Sequence, residues 1–222
     1  KFLFHAETKE IAPASAGGVR LSVAVKGSTK ATPEKNASAN STTTPLQETY
    51  EADQLTSAAH PSEAQFCLTA DAVLVATGRR PRPFPVETEF PNLHYCSVCD
   101  GTPYKGKNII VMGGGNSGFD ESLYLLGLGV SNIHIVETFP SCIAAASTQD
   151  QARATGKIQV SVSTDITDVQ TLPDGKGRVT FHDKNADKPY TEDVDGIFCF
   201  IGQNPNTGIF EGKLDMDHGY IR

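Results

Sequence analysis

A chain of 222 residues is long enough for one large domain or two small ones. Its formal net charge of -7 argues against nucleic acid or an anionic membrane surface as the main partner. Hydrophobic residues make up 38% of the chain. No apolar run approaches the roughly 20 residues that span a bilayer, so no membrane partner is expected.

The first residues and the number of cysteines indicate where in the cell the protein is located. No signal peptide follows Lys1, and a chain that opens without methionine is expected to be a piece of a longer protein. Five cysteines form an odd count, which does not suggest a secreted disulfide scaffold in a chain of this length. The expected location is the cytoplasm.

The N-terminal region predicts a hairpin followed by a long insertion. The segment GVRLSVAV places Val19, Leu21, Val23 and Val25 on one face, which is the period-two pattern of a strand. The preceding KFLFHAE is its expected partner, with Ala-Gly-Gly as the turn. Residues from about 27 to 63 are rich in Ser, Thr, Ala, Asn and Pro and cannot bury enough surface to offset their ordering entropy. A flexible insertion is therefore predicted there.

Apolar runs that predict buried strands follow the insertion. The run Ala72–Ala76 predicts a strand buried on both faces that ends at Thr77-Gly78. The segments NIIVM and NIHIVE predict two more strands, and GIFCFIG predicts a final one. The segments IQVSVSTDITDVQTL and RVTFHD are expected to form strands around an Asp174-Gly175 turn.

Two helices are expected between these strands. One follows the glycines after NIIVM, with Phe119, Leu123 and Leu126 at helical spacing on one face. The other lies in the alanine-rich segment SCIAAASTQDQARATG. The order strand, glycine turn, helix, strand, helix and further strands predicts an α/β, Rossmann-type nucleotide-binding domain.

The glycine turn is the first motif that carries chemistry. MGGGNSG fits the pattern G-x-G-x-x-G through Gly113, Gly115 and Gly118, directly after a strand and at the start of a helix. The first glycine permits the tight turn, the second lets a pyrophosphate approach the backbone, and the third lets helix and strand pack closely. The alternative is a glycine-rich loop without a ligand.

The acid that closes NIHIVE bears on the choice of nucleotide. Glu137 lies roughly 20 residues beyond the turn, where a carboxylate bonds the ribose 2′-OH of NAD. The same charge repels a 2′-phosphate, and no basic cluster follows: the next residues are Thr138, Phe139 and Pro140, and the next arginine is Arg153. NADH is therefore expected in preference to NADPH. The alternative is a solvated glutamate at a strand end.

A dithiol stands ahead of the glycine turn. The spacing of Cys96 and Cys99 allows a small disulfide ring, which is redox-active when a helix start or a nearby charge acidifies one thiol. Asp100 follows directly and is placed to shuttle the proton that thiol–disulfide exchange needs.

Zinc is the main structural rival for this pair, but a structural zinc site usually needs four ligands. The remaining cysteines, Cys67, Cys142 and Cys199, are single and lie in apolar contexts, so free buried thiols are expected. His94 is a candidate to ligate a metal or tune a thiol, although a solvated or packed histidine is the simpler expectation. No metal site is predicted.

The segments CSVCDG, GGGNSG, ESLYL, FIGQNPNTGIFEG and GYIR together resemble low-molecular-weight thioredoxin reductases. The resemblance covers residues 70–222 well and the first strands more loosely. It implies a homodimer that holds FAD, in which hydride passes from the nicotinamide to the flavin. Electrons then enter the disulfide and reduce thioredoxin or a thioredoxin-like protein disulfide.

Carried over to this chain, the resemblance assigns roles to the dithiol. It implies that Cys99 is the flavin-proximal thiol, that Cys96 attacks the partner's disulfide, and that Asp100 is the acid and base. The residues expected to line the cofactors are Gly113, Gly115, Asn116, Ser117 and Gly118 at the pyrophosphate, and Thr77 and Gly78 close to FAD.

The same resemblance sets the expected domains and their gaps. Residues 1–81 would be a partial FAD-domain segment with the insertion at about 27–63, residues 82–207 the NAD(P)-binding domain with the dithiol, and 208–222 a return segment. Flanking antiparallel strands would accompany a Rossmann-like three-layer ββα domain. The first FAD-binding glycine turn and the C-terminal Gly-Asp flavin motif lie outside the chain, so weak FAD binding or none is expected.

Three alternatives stay open at this point. The arginine-rich stretch that reads the 2′-phosphate in the family is absent, as in the related flavoprotein subunit of alkyl hydroperoxide reductase, which uses NADH. One alternative is thus a reductase for a peroxiredoxin system, and a second is a ferredoxin-fed relative that needs no pyridine nucleotide. The third is a nucleotide-binding or redox-sensing module without turnover.

Overall fold

A computed structural model of the chain describes residues 6–13, 19–26, 63–70 and 72–222. Contacts divide the chain into two compact units, one formed by Lys1–Gly78 with Pro205–Arg222 and the other by Arg79–Asn204. The predicted Ala-Gly-Gly turn and nearly all of the predicted insertion at 27–63 lie outside the described residues.

The first unit contains a three-stranded antiparallel sheet. Its strands are β1 (Ala6–Pro13), β2 (Val19–Lys26) and β3 (Glu63–Ala70), in the order β1-β2-β3. The strand predicted in GVRLSVAV is confirmed as β2. Its partner was expected over residues 1–7, whereas β1 begins at Ala6. The strand β3 was not predicted, although apolar residues alternate through it.

The apolar run Ala72–Ala76 is not a buried strand, which corrects the prediction. These residues have no regular structure, and the Leu74 side chain is 92% exposed. A strand buried on both faces needs hydrogen-bonded neighbours and a covering layer on each face. None of the described strands pairs with this run.

The second unit carries a five-stranded parallel sheet in the order β5-β12-β6-β7-β8 and a three-stranded antiparallel sheet in the order β11-β10-β9. In chain order its elements are β4 (Arg79–Pro81), β5 (Leu93–His94), α1 (Ser97–Asp100), a 3-10 helix (Thr102–Tyr104), β6 (Asn108–Met112), α2 (Asn116–Gly127), β7 (Asn132–Val136), α3 (Ala146–Ala154), β8 (Ile158–Ser161), β9 (Thr164–Thr171), β10 (Gly177–Asp183), β11 (Lys188–Val194), β12 (Gly196–Cys199) and β13 (Gln203–Pro205).

The parallel sheet is buried on both faces, which gives this unit three layers. In β6, Ile109 and Val111 pack in a cluster with Phe119 and Leu125 of α2. Ile110 and Met112 pack instead in a second cluster with the antiparallel sheet. Successive side chains of a strand alternate between faces, so a continuous apolar run fits a strand covered on both sides. The predicted Rossmann-like three-layer ββα fold is confirmed.

Several element boundaries differ from the predictions. The helix α3 begins at Ala146, and residues 141–145 fold over the glycine turn instead. The segment IQVSVSTDITDVQTL forms two strands in different sheets, because the backbone turns at Ser163, which has a φ of 49°. The strand β11 was not predicted, since most of its residues are polar and exposed.

After β13 the chain returns to the first unit as a 3-10 helix (Gly208–Phe210) and a hairpin of β14 (Met216–Asp217) and β15 (Tyr220–Ile221). Within the described ranges, no helix combines the length and the apolar character that crossing a bilayer requires.

Candidate functional site: a glycine turn and a dithiol in one unit

The glycine turn links β6 to α2, and each glycine of the pattern has a separate structural reason. Gly113 has a φ of +119°, and a Cβ there would lie 2.5 Å from the Phe200 carbonyl oxygen. A Cβ on Gly118 would lie 1.9 Å from the Gly113 carbonyl oxygen. A Cβ on Gly115 would meet nothing within 4 Å. Two glycines are thus required by the chain itself, and the third leaves open space over the turn.

That open space lies at the N-terminus of α2. Gly115 occupies the N-cap position and has no side chain to satisfy the first N–H groups of the helix. Asn116 and Ser117, the next residues, are exposed, and Asn116 Oδ1 accepts a hydrogen bond from Ala145 N at 2.8 Å. Free N–H groups and the positive end of a helix dipole suit a diphosphate, so the turn fits the phosphates of a dinucleotide.

Glu137 is tied to this turn by its carboxylate. Its Oε2 accepts a hydrogen bond from Gly114 N at 2.6 Å, and its Oε1 accepts one from Phe139 N at 2.9 Å. The residue is only 9% exposed, so the solvated-glutamate alternative is wrong. An ionised carboxylate offers about four acceptor sites, which leaves capacity for ribose hydroxyl groups.

A lysine that the sequence did not indicate lies beside Thr138, the residue that follows this acid. Lys184 Nζ donates to Thr138 Oγ1 at 3.0 Å and pairs with Asp165 Oδ1 at 3.1 Å. The hydrogen bond from the Thr138 hydroxyl, and then the Lys184 ammonium, hold the pKa of Asp165 below its ordinary value against a partial opposing effect of burial. The lysine charge is therefore offset by Asp165, and Glu137 keeps the local charge negative.

The dithiol forms a disulfide, as predicted. Cys96 and Cys99 are bonded to one another, and Cys96 is the N-cap of the short helix α1, where its Sγ accepts a hydrogen bond from Cys99 N at 3.2 Å. Both sulfur atoms are used in this bond. Val98, between the two cysteines, is 69% exposed.

Cys199 is a free, buried thiol, as expected, whereas Cys142 is free but only half-buried. The Cys67 side chain lies outside the part of the chain that the structure describes.

Two contacts hold the segment that carries the dithiol, around α1, against α2. The Ser97 hydroxyl is buried and donates to the Glu121 carboxylate on α2. A Cβ on Gly101 would lie 2.5 Å from the Ser97 carbonyl oxygen and 2.7 Å from the Leu125 side chain. The glycine after the acid of CSVCDG is therefore needed for close packing on α2.

Asp100 has a histidine beside it. His94 Nδ1 lies 3.6 Å from Asp100 Oδ2, and His94 Nε2 is hydrogen-bonded to the Tyr104 hydroxyl at 2.6 Å. His94 is therefore packed and paired, and neither fully solvated nor part of a metal cluster among the described residues. Tyr104 and Glu121 were not among the site residues predicted from the sequence.

Thr77 and Gly78 belong to the first unit, whereas the other predicted site residues belong to the second. The Thr77 carbonyl oxygen accepts a hydrogen bond from Asn206 Nδ2 at 2.9 Å, and Asn206 N donates to the Gly78 carbonyl oxygen at 3.0 Å. Both residues are exposed. Among the described residues, the pattern G-x-G-x-x-G occurs once, at the turn before α2.

A parallel-sheet dinucleotide fold that carries a disulfide in the same unit defines the class of nucleotide-dependent disulfide oxidoreductases. The particular family follows from comparison with known proteins. Residues 4–222 match the family model described as pyridine nucleotide-disulphide oxidoreductase, and the chain belongs to that family.

Its relatives carry different names. Glucosaminate ammonia-lyase of Pseudomonas fluorescens is 36% identical over 160 residues, which cover 69% of this chain and 49% of the relative. Thioredoxin reductase of Buchnera aphidicola is 34% identical over 164 residues, which cover 69% of this chain and 51% of the relative. The chain thus spans about half the length of the curated relatives it matches.

A solved structure gives the same result for the fold. Thioredoxin reductase from Streptococcus pyogenes is 27% identical to this chain and superposes with a TM-score of 0.59. The matched region covers 71% of this chain and 55% of the other.

Proposed function

We propose that this chain belongs to a disulfide reductase in which the Cys96–Cys99 pair, once reduced, passes two electrons to a disulfide of thioredoxin or a thioredoxin-like protein. The observation that carries the proposal is the disulfide itself, which lies beside Asp100 in the same unit as a dinucleotide turn. The exposed Val98 between the cysteines supports it, since it offers a partner protein apolar contact at the dithiol.

The proposed reaction uses this chain's residues in fixed roles. The Cys96 thiolate attacks one sulfur of the partner's disulfide, and a mixed disulfide forms as a partner thiolate leaves. The Cys99 thiolate then attacks the Cys96 sulfur, which restores the Cys96–Cys99 disulfide and releases the second partner thiolate. Asp100 takes and returns the protons of these steps.

NADH is the proposed source of electrons. The open turn at Gly115 and the free N–H groups of α2 would hold the pyrophosphate, together with Gly113, Asn116, Ser117 and Gly118. Glu137 would accept hydrogen bonds from the ribose hydroxyls and disfavour a 2′-phosphate. The lysine near this acid does not change the expectation, because it is already paired with Asp165.

The described residues fit FAD only in part. Thr77 and Gly78 are the expected neighbours of the flavin, but no second glycine turn for its diphosphate occurs in residues 6–13, 19–26, 63–70 or 72–222. FAD, as the family resemblance implies, would accept hydride from the nicotinamide. We also propose that the whole protein is a homodimer located in the cytoplasm.

The family by itself does not decide the reaction, since one relative is named as a lyase and another as a reductase. The disulfide favours the reductase. A reductase that serves a peroxiredoxin or is fed by ferredoxin would use the same dithiol, and a sensor would form the disulfide without transferring electrons to a partner.

Transfer from the reduced dithiol to oxidised thioredoxin separates the reductase from the sensor. The chain is reduced with dithiothreitol, freed of reductant and mixed with oxidised thioredoxin, and the thiols of each protein are then counted. We expect one thioredoxin disulfide to be reduced per chain, and none by a variant with both Cys96→Ser and Cys99→Ser. Failure of the wild-type chain to transfer electrons would refute the reductase.

A further inference from the structure

We propose that His94 is a positioning residue for Asp100, held in one tautomer by Tyr104, and that this arrangement directs Asp100 to protonate the thiolate that leaves when the dithiol reduces a disulfide. The proposal rests on the proposed function, because it concerns the proton that accompanies electron transfer from Cys96 and Cys99.

The His94 ring is fixed by packing. His94 is the last residue of β5, and its register partner on β12 is Phe198. The ring centroid lies 5.1 Å from that of Phe198 and 5.4 Å from that of Tyr104, and the side chain is 20% exposed. A ring enclosed by two aromatic side chains cannot turn freely, so its two nitrogen atoms keep distinct neighbours.

The Tyr104 hydroxyl assigns the tautomer. Burial, with added contributions from Asp100 and Asp195, raises the pKa of Tyr104 to about 12, so the phenol keeps its proton at working pH. The Tyr104 oxygen lies 2.6 Å from His94 Nε2. Because the Asp100 carboxylate beside Nδ1 can only accept, the phenol O–H is assigned as the donor to Nε2. The proton of the neutral imidazole is left on Nδ1, which faces Asp100 Oδ2 at 3.6 Å.

The charge state of His94 agrees with this assignment. Burial lowers the pKa of His94 from its ordinary value, and the carboxylate of Asp100 opposes that shift only in part. The groups that face the ring or its partner tyrosine are Asp100 on α1, Asp195 before β12, and Lys107, whose Nζ lies 5.3 Å from the Tyr104 ring centroid. A neutral imidazole thus presents one N–H to Asp100.

Protons and electrons balance between the dithiol and the attacked disulfide. The dithiol loses two electrons and two protons, and the attacked disulfide gains both and becomes two thiols. Asp100 receives a proton as the dithiol ionises and gives it to the departing thiolate. The Nδ1–H of His94 orients the carboxyl group toward that thiolate and does not itself form or break a bond. The effect of His94 on the reaction rate should therefore depend on whether the leaving thiolate needs a proton.

Two small disulfides distinguish this role from a general loss of structure. Bis(2-hydroxyethyl) disulfide releases a basic thiolate that must be protonated, whereas 5,5′-dithiobis(2-nitrobenzoate) releases a stable coloured thiolate that needs no proton. The chemically reduced chain is mixed with each probe, and the rate of dithiol oxidation is followed. We expect His94→Phe to slow the first reaction about 10-fold, since general acid catalysis is typically worth 10²–10⁴-fold, and to leave the second unchanged.

Rescue provides the matched control. In His94→Asn the side-chain amide N–H takes the place of the Nδ1–H that faces Asp100, so most of the lost rate should return. Tyr104→Phe removes the bond that selects the tautomer and should slow only the first probe. If His94→Phe slowed the reaction equally with both probes, or with neither, the proposed role of His94 would be overturned. A wild-type dithiol that reduces neither probe would refute the proposed function, and the role of His94 with it.

Discussion

At the level of single residues, the buried carboxylate of Glu137 is expected to decide the choice of nucleotide. NADPH would bring a 2′-phosphate to a site beside which Lys184, bonded to Thr138, is already paired with Asp165. We expect NADH to bind about a hundredfold more tightly than NADPH, a difference of about 3 kcal/mol. Calorimetric titration of the chain with each nucleotide measures it.

Glu137→Gln should reduce the preference for NADH over NADPH, because it removes the negative charge of the carboxylate. Because each Glu137 oxygen accepts a backbone N–H, the variant also leaves one N–H facing an amide nitrogen, and unfolding is expected to become easier by about 1–3 kcal/mol. Glu87→Gln, at an exposed position, removes the same charge without these bonds and serves as the control. Tighter binding of NADPH, or binding of neither nucleotide, would show that the site is assigned wrongly.

The two cysteines should also differ in their roles. With Cys99→Ser, the mixed disulfide between Cys96 and oxidised thioredoxin has no resolving thiol, so it should accumulate as a covalent complex visible on a non-reducing gel. With Cys96→Ser, little complex should form. A complex that accumulates only with Cys96→Ser would reverse the assignment.

The residues that surround the site show what the sequence could and could not predict. The dithiol, the glycines and Glu137 belong to short motifs with fixed spacing, so the sequence indicates them. Lys184 reaches Thr138 across 46 residues, and it does so only because the antiparallel sheet lies against the parallel one. A contact of that kind leaves no periodic pattern in the sequence.

At the level of elements, α2 allows a test of the glycine turn against a matched glycine. Gly118→Ala would place a Cβ 1.9 Å from a backbone oxygen, and we expect a loss of about 3 kcal/mol in the free energy of unfolding. Gly127→Ala, at the end of the same helix, meets nothing within 4 Å and should be neutral or stabilising by up to about 1 kcal/mol. Chemical denaturation measures both.

Gly115→Ala separates ligand binding from folding. A Cβ there enters the open space above the turn, so nucleotide affinity should fall while the free energy of unfolding changes by about 1 kcal/mol, the usual cost of alanine at an N-cap. Unchanged nucleotide affinity in this variant would mean that the diphosphate does not lie over Gly115.

The sequence predicted strands correctly where other elements of the fold cover both faces of the sheet. The runs in β6, β7 and β12 are apolar because helices cover one face and the antiparallel sheet the other. Ala72–Ala76 has the same composition but lacks a described neighbouring strand, and it is exposed. The composition of a segment shows whether it can be buried, whereas its pairing as a strand depends on which other segments lie beside it.

At the level of the whole molecule, the one glycine turn among the described residues limits flavin binding. A ligand held by one wall of its pocket loses most of its buried area and nearly all its phosphate contacts. We expect the 222-residue chain to be colourless and to remain so after incubation with FAD and desalting. A visible absorption spectrum checks this, and a yellow protein with stoichiometric FAD would contradict it.

The central claim is that Cys96 and Cys99 form a reversible redox pair, and a thiol count tests it most directly. The chain has five cysteines, so the oxidised protein should show three thiols when unfolded, and five after mild reduction. Re-oxidation should return the count to three, and Cys99→Ser should show no such cycle. A pair that stays reduced under oxidant, or that holds zinc, would contradict the account.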